Sequence, residues 1–256
     1  MTRIITIANQ KGGVGKTTSA VNISSFLAEA GNRVLLIDLD GQANTTSGLG
    51  YRLNENEFSA YDLMTNKMLS VKDVIRKTPF KVDLIPSHIN LSGVELELIN
   101  RLGRESVLKK KIEPVISNYD FIIIDTPPSL SLMSVNSLVL SNEVFVTVES
   151  NPLALDGLNK LFDTIEAVRN ELNPVVQVSG IIITMYDSRT KLGQAVIDRL
   201  RSEDKTKDIV FKTYIRRNVK LAEAIDSGKP VNYFDKDCNG FQDYKALTDE
   251  IINHKA

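Results

Sequence analysis

A single cysteine, Cys238, and no tryptophan at all stand among the 256 residues. One thiol excludes an intrachain disulfide framework, a Cys-x-x-Cys redox pair and any metal cluster held by several cysteines of one chain. A dominant charge is missing too. With 31 Lys and Arg against 32 Asp and Glu, the formal net charge is −1, so contact with nucleic acid must come from a local patch. Long hydrophobic runs are absent. The opening MTRIITIANQ is a short apolar strand rather than a charged leader, which points to neither a secretory signal nor a membrane span and to a cytoplasmic chain. No Gly/Ser or Pro-rich linker, internal repeat or low-complexity tract divides the sequence. What remains, 42% hydrophobic and 25% charged, is the composition of a globule with a sizeable core.

Short runs rich in Ile and Val fall at 4–8, 34–37, 82–85, 121–124, 144–148 and 178–183. Each is continuous rather than alternating, as strands buried on both faces are. Amphipathic patterns lie between them at 17–30, 91–118 (with a break), 155–172, 192–201, 219–226 and 242–254. The alternation predicts an α/β fold: one doubly wound, mostly parallel sheet flanked by helices, spanning 1–256 as one domain, with ligands at the C-terminal ends of the strands.

The first strand runs into NQKGGVGKTT, at 9–18, and then into a helix. Strand, glycine loop and helix in that order are the setting of a phosphate loop. Gly12, Gly13 and Gly15 allow backbone N–H groups to turn inward as an anion nest at a positive helix end. Lys16 can reach β- and γ-phosphate oxygens, and Thr17 offers a hydroxyl to Mg²⁺. Val14 and Thr18 complete the segment expected to cradle the nucleotide. The standard pattern wants glycine where Gln10 stands, and a second lysine, Lys11, follows. By itself Lys11 reads as a solvated loop residue.

Two further strand ends carry carboxylates: Asp38 and Asp40 in LLIDLDGQ, and Asp125 in DFIIIDTPPS. Phe121 to Ile124 deliver Asp125 to its strand end in a Walker B arrangement, in which the carboxylate binds Mg²⁺ directly or through water. Without the glycine loop, Asp38 and Asp40 would read as solvated strand-end groups. No Asn-Lys-x-Asp guanine signature occurs, which favours ATP over GTP.

Together these motifs resemble the ParA/MinD superfamily of P-loop ATPases, whose deviant Walker A loop reads K-G-G-x-G-K-[ST]. The resemblance implies that Lys11 is the signature lysine, crossing an ATP-sandwich homodimer to the partner's phosphates. It implies that Asp40 positions and helps deprotonate the attacking water within a first switch at 40–46, that Asp38 supports that loop and the metal's water shell, and that 129–137 forms a second switch. The family usually has proline after the second aspartate; Gly41 stands here and is expected to loosen the turn. The adenine segment appears as Ile215-Arg216-Arg217-Asn218, which places Arg216 and Asn218 near the purine.

Branches of the superfamily separate on residues. One cysteine cannot hold the cluster of nitrogenase iron proteins, and the tail KALTDEIINHKA lacks the tyrosines of the bacterial tyrosine kinases. The stripe Leu247, Ile251 and Ile252 among Asp249, Glu250 and Lys255 is modest for a membrane-binding helix of the MinD type. Thr184 to Gln194, TMYDSRTKLGQ, resembles small chromosomal ParA/Soj proteins, with no N-terminal helix-turn-helix extension. That resemblance implies a nucleoid-associated partitioning ATPase with three partners: a second copy, a ParB-type protein, and double-stranded DNA bound without sequence preference. No membrane partner is expected. From 185 to 220, ten Lys and Arg face five Asp and Glu, and Arg189, Lys191, Arg217 and Lys220 are the candidate DNA contacts. A MinD-type membrane-surface ATPase and a ParA-like ATPase that positions a protein cargo are the alternatives.

Overall fold

The computed structural model describes residues 1–151 and 157–253. Seven strands form its sheet: β1 (Arg3–Ala8), β2 (Val34–Asp38), β3 (Arg76–Lys77), β4 (Val82–Ile85), β5 (Phe121–Asp125), β6 (Glu143–Glu149) and β7 (Gln177–Thr184). Their order is β3-β4-β2-β5-β1-β6-β7, and every pairing is parallel except that of β3 with β4. All six expected strands form. The seventh, β3, has only two residues and a polar sequence, so it carries no periodic signal.

Side chains alternate between the two faces of the sheet. Leu35 and Ile37 enter one core with Ile122 and Ile124, while Leu36 enters the other with Ile5, Ile7 and Ile123. The second core is closed by the helix Lys16–Glu29, whose Ala20, Ile23 and Leu27 are fully buried, and by the last helix, Asn239–Asn253. On that last helix Leu247 and Ile251 are fully buried in the core, so its apolar stripe packs on the domain; Ile252 is exposed, and Lys255 and the expected end at His254 lie outside the described residues. The helix expected at 155–172 is seen as Leu158–Glu171; 155 and 156 also lie outside.

The 91–118 pattern needs correction. It is a chain of short pieces: Ile89–Gly93, Val94–Leu98, Arg104–Ser106, Val107–Ile112 and Glu113–Asn118. Gly103, at φ 68°, and Pro114 interrupt the helical repeat. At the far edge, Gly180 in β7 makes room for aromatic packing. A Cβ there would sit 2.4 Å from the Phe211 ring and 2.8 Å from Phe145, whose rings meet edge to face at 5.1 Å. Gly180→Ala is expected to destabilise the fold by about 1–3 kcal/mol, the range for an overpacked core, as read by chemical denaturation.

Candidate active site

Parallel pairing brings three strand ends to one level. Register sets Ile7 of β1 and Asp38 of β2 on either side of Asp125 of β5. The loop leaving β1 turns through Gly13 (φ 73°) and Gly15 (φ 81°), left-handed conformations that glycine adopts without a Cβ clash. Gly15 stands at the N-terminus of Lys16–Glu29 and has no side chain to cap it, which leaves the first helical N–H groups facing the loop. Two long-range bonds hold the loop. Thr184 Oγ1, from the end of β7, donates to Val14 O at 3.0 Å, and Asn9 bridges Thr147 O and the Lys11 N–H. Lys16 is buried, and its Nζ donates to Lys11 O at 3.0 Å. Burial lowers its pKa, while the nearby charges of Asp125 and Asp40 oppose that shift. A desolvated cation in an amide-lined loop is an anion site.

Asp125 is fully buried. Thr17 from the loop and Thr45 from the first switch both donate to its Oδ2 at 2.7 Å, while its Oδ1 has no hydrogen-bond partner. An orphaned buried carboxylate oxygen beside a threonine hydroxyl suits Mg²⁺, which takes one or two protein oxygens and otherwise water and phosphate. Among the described residues no group of three or more His, Cys, Asp or Glu could hold a metal by itself. Asp38 Oδ2 accepts from the N–H and hydroxyl of Thr46 at 2.8 and 2.7 Å, and Oδ1 accepts from the Asp40 N–H at 3.1 Å. It thus holds both ends of the first switch.

Burial, then the charge of Asp125, pushes the Asp38 carboxyl up to about 8; burial raises Asp125 to about 6. An unfolded aspartate loses its proton near ~4. Between that pH and the raised value the folded chain holds protons that the unfolded chain has released, so stability falls as pH rises. Without nucleotide, the melting temperature should drop from pH 5 to pH 8, and less steeply in Asp38→Asn.

The turn after Asp40 packs closely against the segment leaving β4. Gly41 is buried, and a Cβ on it would lie 2.1 Å from Ser92 Oγ and 3.0 Å from Ser92 N. The space that a side chain would occupy at Gly41 is filled by Ser92. The segment expected as the first switch, 40–46, runs into a short helix, Asn44–Gly48, and that expected as the second, 129–137, runs into the helix Leu132–Leu140.

Beside the loop lies a cleft of about 280 Å³ whose lining includes Gly15, Thr18, Ile215, Val219 and Tyr244. Arg216 and Asn218 are at this cleft as well. However, the Arg216 guanidinium is turned to Asp243, at 2.6 Å, and Asn218 caps the helix Val219–Asp226 by accepting from Lys220 N. Both residues thus border the cleft, and the Arg216 side chain also braces the last helix. Of the basic candidates, Arg189 pairs with Asp187 at 2.8 Å, Arg217 with Glu149 at 3.4 Å and Lys220 with Glu223 at 2.7 Å; Lys191 opens the helix Lys191–Ser202. A bridge from Tyr186 to Arg216 joins the segments that carry them. Thr45 and Thr184 escaped sequence reading. Thr45 lies inside the first switch and carried no assigned role. Thr184 is 170 residues from Val14, its partner, and only the sheet order joins them.

Glycine loop, buried lysine and strand-end aspartate on a parallel sheet define a P-loop ATPase. A family model described as an AAA domain matches residues 2–178. Over 252 residues, 98% of each chain, the sequence is 43% identical to the sporulation initiation inhibitor protein Soj of Bacillus subtilis. It is 43% identical over 253 residues, again 98% of each chain, to the chromosome-partitioning ATPase Soj of Treponema pallidum. The fold matches cobyrinic acid a,c-diamide synthase from Mycobacterium smegmatis, solved with bound ADP and magnesium, at a TM-score of 0.85 and 30% identity, covering 99% of this chain and 95% of that one. This chain belongs to the ParA/Soj family of chromosome-partitioning ATPases. Among the described residues no helix is long and apolar enough to cross a membrane.

Proposed function

We propose that the chain works as one ATPase domain that binds MgATP, closes as a homodimer on double-stranded DNA without sequence preference, and is released after a ParB-type partner stimulates hydrolysis to ADP. The observation that carries this reading is the convergence on Asp125 Oδ2, where the phosphate loop (Thr17) and the first switch (Thr45) meet. Phosphate contacts in the loop can thereby set the switch. In this reading the segment from Gly12 through Thr18 cradles the phosphates. Thr17 and Asp125 would hold Mg²⁺, with Asp38 behind them, and the ion would supply charge neutralisation on the phosphates. Asp40 orients the attacking water and takes its proton, Lys16 meets charge on the β- and γ-phosphates, and Lys11 reaches the partner's nucleotide.

Arg189, Lys191, Arg217 and Lys220 form the DNA face. Three of them are in exposed ion pairs, which contribute little and can be exchanged for phosphate. Random-sequence duplex should shift in a gel only with MgATP. Arg189→Glu should weaken that shift and reduce the slope of log affinity against log salt by about 1 for each phosphate no longer neutralised. Unchanged binding and slope would remove Arg189 from the DNA face. Failure of the wild type to bind duplex under any nucleotide would turn the reading toward a protein cargo.

A further inference from the structure

The segment 87–95, leaving β4, touches both switches. At its start the Ser87 N–H donates to Thr46 Oγ1 at 2.9 Å, the same hydroxyl that donates to Asp38. At its middle, Ser92 fills the space beside Gly41. At its end, Glu95 Oε1 accepts from the Leu132 N–H at 2.6 Å, the first residue of the helix in the second switch, where a carboxylate suits the positive helix end. Leu91 and Val94 are buried between these contacts and anchor the segment to the core.

We infer that 87–95 is a strap whose positioning residues, Ser92 and Glu95, make the two switches move together, and that Gly41 and Ser92 form a matched pair setting the turn that carries Asp40. Proline or alanine at 41 cannot coexist with Ser92 in this pose, because the Cβ meets Oγ at 2.1 Å. The inference rests on the roles proposed for Asp40 and the second switch; the turnover arm of its test shares the Asp40 role, and the hydrogen-exchange arm does not.

Two pairs of variants carry that test. Gly41→Ala should reduce ATP turnover about tenfold or more, since small misplacements of a reacting group cost up to ~10²-fold. MgATP affinity should hold within a factor of about two, the phosphates being held by the loop. Adding Ser92→Ala removes the 2.1 Å contact and leaves the 3.0 Å approach to Ser92 N, so the double variant should recover most of the missing turnover. A double variant no better than Gly41→Ala, or a fully active Gly41→Ala, overturns the pairing. The second pair reads coupling without activity. Glu95→Ala should speed hydrogen exchange both at 129–137 and at 40–46, whereas Glu95→Gln, which keeps an acceptor oxygen, should restore protection at both. Exchange that changes only at 129–137 overturns the strap, whatever Asp40 does.

Discussion

Asp40→Ala should hydrolyse ATP about 10²–10⁴-fold more slowly while still binding it, the usual cost of removing a group that handles the proton of a nucleophile. The geometry separates the two effects. Phosphate binding is built by the loop, Lys16 and the helix end, none of which is held by the Asp40 side chain. That side chain is half-buried, its Oδ1 accepts from the Gln42 N–H at 3.0 Å, and its own N–H is fixed by Asp38. Asp40→Asn keeps an oxygen for Gln42 but cannot take a proton. It should therefore be nearly as slow as the alanine variant if the carboxylate does chemistry, and nearly wild type if it only shapes the turn. Single-turnover hydrolysis with a fluorescent-nucleotide affinity measurement distinguishes these outcomes. With turnover blocked, the variant should persist as an ATP-bound dimer on DNA.

Lys11→Ala should abolish ATP-dependent dimerisation and, with it, roughly 10³-fold or more of turnover, the scale of a cation supplied in trans to a transferring phosphoryl group. The backbone at Lys11 is anchored independently of its side chain. Its N–H donates to Asn9 Oδ1 at 2.9 Å and its carbonyl accepts from Lys16 Nζ. Alanine preserves both bonds, so the loop should keep its shape and bind nucleotide in the monomer. Sedimentation with a non-hydrolysable ATP analogue checks dimerisation. A sharper check mixes Lys11→Ala with Asp40→Ala. In a mixed dimer one site retains its own Asp40 and receives Lys11 from the other subunit, so two inactive variants should regain activity together. Absence of that recovery, with mixed dimers shown to form, would place Lys11 in its own subunit's site.

Much of this molecule could be read before its structure. The six long strands announced themselves because burial on both faces forces continuous Ile and Val runs, and the phosphate loop did so because its glycines, lysine and threonine are contiguous. The Asp125 strand end was equally plain, since four apolar residues lead to one carboxylate. What stayed hidden was non-local. The two-residue strand β3 exists only through pairing with β4, and the 91–118 region showed a break but not its division into several short pieces, because its apolar residues remain spaced as in a helix. The Arg216 clasp stayed out of sight because its partner, Asp243, lies on another helix, and a carboxylate 27 residues away leaves no mark on local pattern. The neighbour of Gly41 was hidden for a related reason: Ser92 comes from another segment of the chain.

The clasp between Arg216 and Asp243 has a consequence for how the chain can be shortened. On the same last helix, Tyr244 lines the base cleft, is fully buried, and shares a 3.0 Å hydrogen bond with Ser19 of the helix that follows the phosphate loop. The final helix is therefore a wall of the cleft beside the phosphate loop, the place proposed for the base. A stop codon or protease cut that removed Asn239–Asn253 would take away ligand affinity along with stability, leaving a fragment with every recognised loop motif and an open side where the base should rest.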